Sequence, residues 1–535
     1  MEVRGCSLGI MDLTSLTRSA GKVGLATIIS RVFGYIRDIL LASLFGTSMF
    51  ADVFFVAFRI PNTLRRLIGE NAFNGAFIPV MGDYLKKKGE KEAWNMAISI
   101  GMIFLCILLF ITVIGIVFSP LIMKIAAHGF IQTPGKIELA TKLLRIMFPY
   151  ILFIGIAILM ISILNSFRIF FIPALAPSIL NICMITALIF FCHRMKEPVV
   201  GLAIAVLIGG IGQLGIQLPS LVKRGRGFFR ELKPRFNHPA AKTIGKLLIP
   251  VILGSGVYHI NILVDTFLAS FSHIVGEGAV SALYYANRLI QLPQAVFAIA
   301  LGTVILPAMS GFASENNIDK LKETFTFSIK MIISITIPLS VLFIVLRFQI
   351  IQLLFGWGKF QAYSIKATSF GLLCYSFGLV AYSANQIITR AFYSVKDTKT
   401  PLRVACLSMG INIILNLVLM RPLKLGGLAL ATSISAACSM IALFILFDKK
   451  IGRIDWVSIK DTLFRLLPAS AVMAITCWLT LRWIICIEGN LLTVRLIQFF
   501  IPAFAGTISF LIISYFLKLK ELRHVFALIG KFRRR

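Results

Sequence analysis

The chain has 535 residues, of which 58% are hydrophobic and only 14% are charged. A soluble protein of this length would need about a quarter of its residues charged to cover several domains. The composition therefore excludes a soluble multidomain protein, a disordered chain and a disulfide scaffold. Apolar runs of about 18 or more residues, separated by short polar segments, predict an all-α polytopic membrane protein.

The net charge is strongly positive, with 54 Lys+Arg against 22 Asp+Glu and a formal value of +32. In a soluble protein such a charge would suggest a nucleic-acid partner. Basic residues concentrated in the loops between apolar runs are instead typical of the cytoplasmic face of a bacterial membrane protein. We therefore expect a multi-pass protein of the bacterial cytoplasmic (inner) membrane, with membrane lipids around it and no nucleic-acid partner.

Fourteen transmembrane helices are predicted along the chain. They lie near residues 22–46, 56–82, 95–123, 142–167, 171–192, 198–221, 243–271, 278–311, 326–355, 367–393, 401–420, 425–447, 464–485 and 495–517. Connections after even-numbered spans are rich in Lys and Arg, whereas those after odd-numbered spans are short and poorer in charge. By the positive-inside rule, both termini are predicted to be cytoplasmic.

Four short similarities recur in the same order at offsets between 226 and 231 residues. They align Asp38 with Asp265, Ala57 with Ala286, Asn181 with Asn412 and Gly201 with Gly427. The alignment predicts two parallel six-helix halves around a central cavity, an arrangement typical of rocking transporters. The predicted units are an N-terminal half at 1–225, a C-terminal half at 226–450, and helices 13 and 14 with a basic tail at 451–535.

Ionisable side chains inside membrane spans are costly and are therefore candidates for function. The set comprises six arginines and four carboxylates: Arg31, Arg37, Arg59, Arg65, Arg66, Arg288, Asp38, Asp52, Glu70 and Asp265. For any one of these residues, the alternative to a functional role is that it pairs with another charged residue of the set or extends its side chain to the membrane interface. Pairing still leaves an excess of two positive charges. Guanidinium groups bind phosphate in a bidentate manner, so this excess suits a phosphate or diphosphate headgroup.

A second polar set lies in the C-terminal half. Asn412 and Asn416 are four residues apart on one helix face, and Thr432 lies near the start of span twelve. With Asp265 they offer four hard oxygen ligands to a small cation, or they form interhelical hydrogen bonds. The chain has no Walker motif and no H-E-x-x-H motif. It is therefore not predicted to be an enzyme.

Several segments resemble the MurJ (MviN) family, the lipid II flippases of the MATE-like (MOP) exporter superfamily. They are Ser-Arg-Val-Phe-Gly-Tyr-Ile-Arg-Asp at 30–38 and the stretches 51–66, 72–79, 285–289, 300–307, 391–394 and 400–401. The resemblance covers essentially the whole chain. It implies movement of undecaprenyl-diphosphate-linked disaccharide-pentapeptide from the inner to the outer leaflet by alternating access, for peptidoglycan synthesis and the maintenance of cell shape.

The resemblance also implies roles for individual positions. Those that match the family's headgroup residues are Arg31, Arg37, Asp38, Asp52, Arg65, Arg66 and Arg288, and those that match its sodium site are Asp265, Asn412, Asn416 and Thr432. The chain departs from the family pattern at two places. Gln291 stands at the acidic position three residues after Arg288, and Asn416 stands where sodium-binding members can have Asp. No cofactor is expected to be required, and either Na⁺ or the membrane potential would drive transport.

The expected partner is lipid II, and a monomer is expected, although the sequence does not fix the oligomeric state. The alternatives are a flippase for another polyprenyl-linked glycan, a multidrug exporter of the same superfamily, or a membrane enzyme acting on polyprenyl-diphosphates. The enzyme would need a large extracytoplasmic loop, whereas the predicted odd-numbered loops are short. Met11 is an alternative start to Met1.

Overall fold

The computed structural model describes residues 13–225, 227, 233–486 and 492–519. At 13–22, 68–71, 253 and 255 it describes the backbone alone. These residues are mostly helical and contain no strand, which confirms the all-α prediction. This outcome follows from the composition, because a backbone within lipid must satisfy its own hydrogen bonds and a helix does so within one segment. The basic tail and residues 228–232 of the central basic loop lie outside the described residues.

Twenty-one α-helices account for most of the described residues. Those up to residue 269 are Leu13–Phe45, Met49–Arg65, Asn74–Lys87, Gly89–Val117, Ser119–Ala126, Lys136–Met147, Tyr150–Ser166, Phe171–Thr186, Pro198–Gly215, Leu218–Gly225 and Pro239–Ala269. Those that follow are Ser272–Val275, Ala279–Pro293, Ala300–Ser314, Ile318–Val345, Arg347–Phe355, Ala362–Ser376, Leu379–Ser394, Lys399–Ile451, Trp456–Ile484 and Leu492–Phe516.

Short π-helical and 3₁₀ segments join some of these helices. The π segments are Arg66–Phe73, Ala187–Phe191 and Gln294–Ile299, and the 3₁₀ segments are His128–Gln132 and Cys192–Arg194. A π turn inserts an extra residue into the helical ladder and occurs frequently at functional sites. The segment Arg66–Phe73 begins at one arginine of the predicted headgroup set, Arg66, and directly follows another, Arg65.

The chain forms two compact units. One consists of the described residues through Leu41 together with Val56–Lys124 and Gly135–Gly256. The other consists of Ala42–Phe55, Ile125–Pro134 and the described residues from Val257 onward. The second unit therefore includes two short segments that lie early in the sequence.

Among the described residues, nine helices are long and apolar enough to cross a membrane. The number rises to eleven if the bent pairs spanning 239–269 and 362–394 each count as one span. The helix Lys399–Ile451 holds two predicted spans, and its backbone departs from helical geometry at Lys424, where φ is 50° and ψ is −134°. The first two predicted spans lie on Leu13–Phe45 and on the run 49–87, whose internal charges keep them out of the apolar set. The protein is thus a multi-pass membrane protein.

Close helix contacts are made where a glycine replaces a larger side chain. A Cβ atom added to Gly506 would lie 2.1 Å from Cys477 Sγ, so Trp456–Ile484 and Leu492–Phe516 approach closely at this point. The Cys477 thiol donates a hydrogen bond to the Pro502 carbonyl at 3.2 Å in the same contact. Small residues at such crossings are characteristic of helix packing in membranes, where dispersion contacts replace the hydrophobic effect.

Candidate functional site

A buried ion pair lies in the C-terminal third of the first helix, Leu13–Phe45. Arg37 is 8% exposed and Asp38 is fully buried. The guanidinium donates to Asp38 Oδ1 from Nε at 3.0 Å and from Nη2 at 2.7 Å, and its Nη1 donates to Asn181 Oδ1 at 3.0 Å. Asn181 in turn donates to the Ser30 carbonyl at 3.2 Å. The positive charge of Arg37 is therefore matched within the unit by a carboxylate on the adjacent residue.

The other N-terminal arginines of the predicted set are more accessible. Arg31 is exposed on the same helix, and Arg66 is exposed at the start of the π-helical segment. Arg65 is half-buried, and its Nε donates to Asn62 Oδ1 at 3.0 Å. The ion pair within the first helix removes one arginine and one carboxylate from the set, so the excess of two positive charges is unchanged. The side chain of Glu70 lies outside those described.

Asp52 stabilises the start of another helix. This carboxylate is 2% exposed, and its Oδ1 accepts hydrogen bonds from the Ser281 backbone N–H at 3.0 Å and from Ser281 Oγ at 2.8 Å. Ser281 lies in the first turn of Ala279–Pro293, where backbone N–H groups lack helical partners and a negative charge is favourable. Arg288 is half-buried two turns further along this helix. Asp52 therefore holds the helix that carries Arg288.

Four residues of the predicted sodium set converge within the second unit. Asn416 Nδ2 donates to Asp265 Oδ1 at 2.7 Å and to Asn412 Oδ1 at 2.9 Å. Asn412 Nδ2 lies 3.4 Å from Thr432 Oγ1. With the Asn412 amide turned over, its nitrogen would instead donate to Asp265 Oδ1 at 3.0 Å. Asn261, one turn before Asp265, approaches its Oδ2 at 3.5 Å.

This amide cluster has the chemistry of a site for a hard cation. It gathers a carboxylate, two amide groups and a hydroxyl, which are the oxygen ligands that such ions prefer. Asn416 is fully buried, and its Oδ1 has no hydrogen-bond partner in the described structure. A buried amide oxygen without a partner is unfavourable by about 1–3 kcal/mol. Rotation of this amide by half a turn would direct the oxygen toward Asp265 and Asn412. The described residues contain no group of three or more His, Cys, Asp or Glu suited to a transition metal.

Three residues of these clusters were not assigned to a site from the sequence. Asn181 was noted only as a repeat partner of Asn412, although a polar residue within an apolar span is itself a signal. Asn261 is four residues before Asp265, a spacing that places both side chains on one helix face. Ser281 carries no comparable signal, because its contact with Asp52 joins positions 229 residues apart.

The fold and the buried polar clusters define a class of protein, the multi-helix membrane transporters. A solved structure of a lipid II flippase MurJ in an inward closed conformation matches with a TM-score of 0.76 and 29% identity, over 93% of this chain and 98% of that one. An inward-facing multidrug resistance MATE transporter of the MOP superfamily matches with a TM-score of 0.68 over 81% of this chain and 96% of that chain. At 18% identity, the second match shows a shared fold alone.

The sequence comparisons define the family. The model of the lipid II flippase MurJ family matches residues 41–513. A probable lipid II flippase MurJ of Buchnera aphidicola subsp. Schizaphis graminum is 34% identical over 514 residues, covering 95% of this chain and 98% of the relative. The protein of the same description from Vibrio cholerae is 36% identical over 436 residues, covering 80% and 82%. The chain belongs to the MurJ lipid II flippase family.

Proposed function

We propose that this protein is a lipid II flippase of the bacterial inner membrane. It moves the undecaprenyl-diphosphate-linked peptidoglycan precursor from the inner to the outer leaflet, for cell-wall synthesis, and it is a transporter and not an enzyme. The main evidence is the family relationship. The Buchnera aphidicola relative is 34% identical over nearly the full length of this chain and of its own. The exposed and half-buried arginines agree with a cargo that carries a diphosphate.

The arginines divide into two groups in this proposal. Arg31, Arg65, Arg66 and Arg288 are exposed or half-buried, and they bind the diphosphate of the headgroup. Guanidinium–phosphate hydrogen bonds are charge-assisted and bidentate, so a few such groups replace the hydration of the diphosphate. The remaining predicted headgroup residues Arg37, Asp38 and Asp52 are buried in contacts within the protein and act as positioning residues.

We further propose fourteen transmembrane helices, arranged as two six-helix halves and a C-terminal pair, with both termini cytoplasmic. The interruption of Lys399–Ile451 at Lys424 supports counting that helix as two spans. Contacts between aligned repeat positions support the two halves. Asn181 joins the Arg37–Asp38 pair in one half, and Asn412 joins Asp265 through Asn416 in the other. Rocking of the halves would carry the headgroup across, while the polyprenyl tail stays in lipid beside the last two helices.

Two driving forces fit this chain. Na⁺ would bind at Asp265, Asn412, Asn416 and Thr432, with the Asn416 amide turned so that its unpartnered oxygen joins the ligands. The membrane potential would act on the charged cargo, since moving one charge across 100 mV is worth about 2.3 kcal/mol. The chemical contribution of the ion is charge compensation, because its arrival neutralises a carboxylate within a span.

The direct test is leaflet-resolved accessibility of lipid II after rapid inactivation of this protein. In cells that depend on this chain, lipid II headgroups at the outer face should disappear within one turnover of the precursor pool, while total lipid II accumulates. Continued appearance of headgroups at the outer face would exclude the flippase function.

The role of the arginines is tested by Arg31→Ala in a flippase-depleted strain. Because Arg31 is exposed, the variant should fold and reach the membrane in normal amount yet fail to support growth. Arg31→Lys keeps the charge but loses the bidentate geometry, so it should rescue growth partially. Arg403→Ala, which removes an exposed arginine outside the predicted set, is the matched control and should grow normally. Normal growth of Arg31→Ala would favour an exporter with a different cargo.

A further inference from the structure

A polar cavity of about 500 Å³ lies away from the proposed headgroup and sodium residues. Its walls are the first turns of Ile318–Val345 and the segment that leads into Trp456–Ile484. These segments follow predicted spans eight and twelve, so both belong to the face that we propose is cytoplasmic. The volume falls within the range of roughly 300–1,000 Å³ that is usual for sites of small ligands.

The lining of this cavity carries three positive and three negative side chains. They are Lys322, Lys330, Arg453, Asp319, Glu323 and Asp455. Asp319, Glu323, Arg453 and Asp455 are exposed, while Lys322 and Lys330 are half-buried. A lining with balanced charges of both signs favours a ligand that itself carries both signs, since a purely anionic or cationic group would meet like charge on one wall.

Two of the charged side chains are held in place by the start of the last-but-one helix. Lys330 Nζ donates to Ser458 Oγ at 2.8 Å, and Asp455 Oδ1 accepts from the Ser458 backbone N–H at 2.9 Å. Lys322 extends over Gly452, where an added Cβ atom would lie 3.2 Å from its Nζ. The two hydrogen bonds fix one carboxylate and one ammonium group at the cavity wall before any ligand arrives.

Thr326 provides an independent sign of a ligand. It lines the cavity, its residue is only 7% exposed, and its Oγ1 has no hydrogen-bond partner in the described structure. A threonine within a helix ordinarily donates to the carbonyl four residues earlier, as Thr324 does to Lys320 at 2.8 Å. A buried hydroxyl without a partner is unfavourable, and an oxygen atom of a ligand in the cavity would satisfy it.

Apolar side chains at the rim relate the cavity to lipid. Phe327, which lines it, is 40% exposed, and Val457, next to the lining residue Ser458, is 79% exposed. In a multi-pass membrane protein, large exposed apolar side chains of this kind face acyl chains. The ligand that fits both the polar interior and the apolar rim has a charged headgroup and a hydrocarbon tail.

We propose that this cavity binds the headgroup of a zwitterionic aminophospholipid of the phosphatidylethanolamine type. Its phosphate faces Lys322, Lys330, Arg453 and the Thr326 hydroxyl, and its ammonium group faces Asp319, Glu323 and Asp455. The lipid is a bound component and not the transported cargo. The site joins the helix Ile318–Val345 to the C-terminal helix pair, so a bound lipid would stabilise that junction.

The test uses the full-length protein, purified in detergent and melted with added lipid. Phosphatidylethanolamine should raise the Tm about twice as much as phosphatidylglycerol, which lacks the ammonium group, or phosphatidylcholine, whose ammonium group cannot donate hydrogen bonds. Thr326→Val should leave the Tm without lipid unchanged or raised, since the hydroxyl has no partner to lose, yet it should reduce the phosphatidylethanolamine increment at least about twofold.

Charge reversal supplies the matched comparison. Lys322→Glu should abolish the preference for phosphatidylethanolamine, whereas Lys460→Glu, on an exposed lysine outside the cavity, should preserve it. The proposal would be overturned if all three lipids raised the Tm equally, or if phosphatidylglycerol raised it more than phosphatidylethanolamine. An equal increment from glycerophosphoethanolamine would assign the site to a soluble zwitterion and overturn the lipid assignment. Growth complementation remains a separate readout, so failure here leaves the flippase function untouched.

Discussion

Asp38 and Asp265 occupy aligned positions in the two halves of the sequence, yet their polar surroundings differ. Asp38 is fully buried and accepts two hydrogen bonds from the guanidinium of Arg37. Asp265 is half-buried and accepts a hydrogen bond at 2.7 Å from the amide of Asn416, and Val264 stands where the first half has Arg37. One half thus builds a fixed cation beside its carboxylate, and the other surrounds its carboxylate with neutral amides.

The difference shows how a duplicated framework can acquire two functions. When the counter-charge of a carboxylate is the next residue of the same helix, the ion pair is always present. Such a pair suits a structural junction between helices. A carboxylate lined by amides that can turn over suits an ion that arrives and leaves, because amides offer either a donor or an oxygen ligand. The following experiments test this difference between Asp38 and Asp265 by its effects on stability and ion binding.

The largest effect is expected from Arg37→Ala. The substitution leaves Asp38 buried without its guanidinium partner, a change that typically costs about 3–5 kcal/mol. We expect most of the protein to be lost from the membrane, as measured by fluorescence-detected size exclusion of a tagged chain. The double variant Arg37→Met/Asp38→Leu removes both charges and should recover much of the folded protein. A fully folded Arg37→Ala would show that the pair is not structural.

The next effect is the loss of sodium-dependent stabilisation in Asp265→Asn. If Na⁺ binds the amide cluster, the wild type should melt at a higher temperature in NaCl than in KCl at equal ionic strength. Saturation at about 100 times Kd corresponds to ~2.7 kcal/mol. Asp265→Asn keeps the shape but removes the charge, so its two melting curves should coincide.

Asn416→Asp provides the opposite change at the same site. A second carboxylate should raise the apparent sodium affinity by about tenfold, equivalent to ~1.4 kcal/mol. Both variants are read by the same melting assay, so general damage to the fold is distinguishable from altered ion binding. Identical melting of the wild type in the two salts would leave the membrane potential as the driving force.

An effect of similar size and opposite direction is expected from Val264→Arg, which copies the first-half arrangement into the second. The side chain at this position is half-buried, so a guanidinium can extend beside Asp265. It should lower the apparent sodium affinity by about tenfold while the protein stays folded. Val264→Gln has a similar length without the charge and should retain the wild-type response. If both variants respond alike, the counter-charge is not what separates the two halves.

The smallest effect is expected at a half-buried carboxylate, Asp397, outside the predicted spans. Burial raises the pKa of Asp397, but hydrogen bonds from Lys450 and Thr400 outweigh this and lower the pKa to about 2. It accepts from the Thr400 N–H at 3.0 Å and from Lys450 Nζ at 2.7 Å. Loss of such a helix-capping group costs about 1 kcal/mol, so Asp397→Ala should lower the Tm by a few degrees at pH 7.

The pH dependence of this effect has a definite sign. The folded pKa lies below the ordinary value of about 3.9, so the stabilisation is present above pH ~4 and is lost as the pH falls toward 2. The gap in Tm between wild type and Asp397→Ala should therefore close only in that acidic range. Asp461→Ala, which removes an exposed partner of Arg465, should change the Tm much less. A gap independent of pH down to about 2 would contradict the assignment.

The sequence was most informative where a single physical rule dominates. Long apolar runs predict helices because lipid offers the backbone N–H and C=O groups no hydrogen-bond partners. The spacing of four residues likewise predicted that Asn412 and Asn416 lie together on one helix face. It was least informative for contacts between distant segments. The contact of Asp52 with Ser281, for example, joins positions 229 residues apart, and no local pattern marks it.

Helix geometry alone does not predict every local contact. Adjacent helical residues project about 100° apart, yet Arg37 and Asp38 form an ion pair. The long guanidinium side chain folds back, and the two groups bond at 2.7 Å. Bounds of the charged first and second helices were also hard to predict, since their polar residues interrupt the hydropathy signal that marks the later spans.

The adjacency of Arg37 and Asp38 has a consequence for biosynthesis. Each charged residue at the centre of a helix opposes entry from the translocon into lipid by roughly 2.5–3.5 kcal/mol. Because both members belong to one helix, they can associate while that helix is still leaving the ribosome and before Asn181 has been synthesised. The pair then enters the bilayer as a neutral dipole, so these two residues need no later segment to compensate their charges.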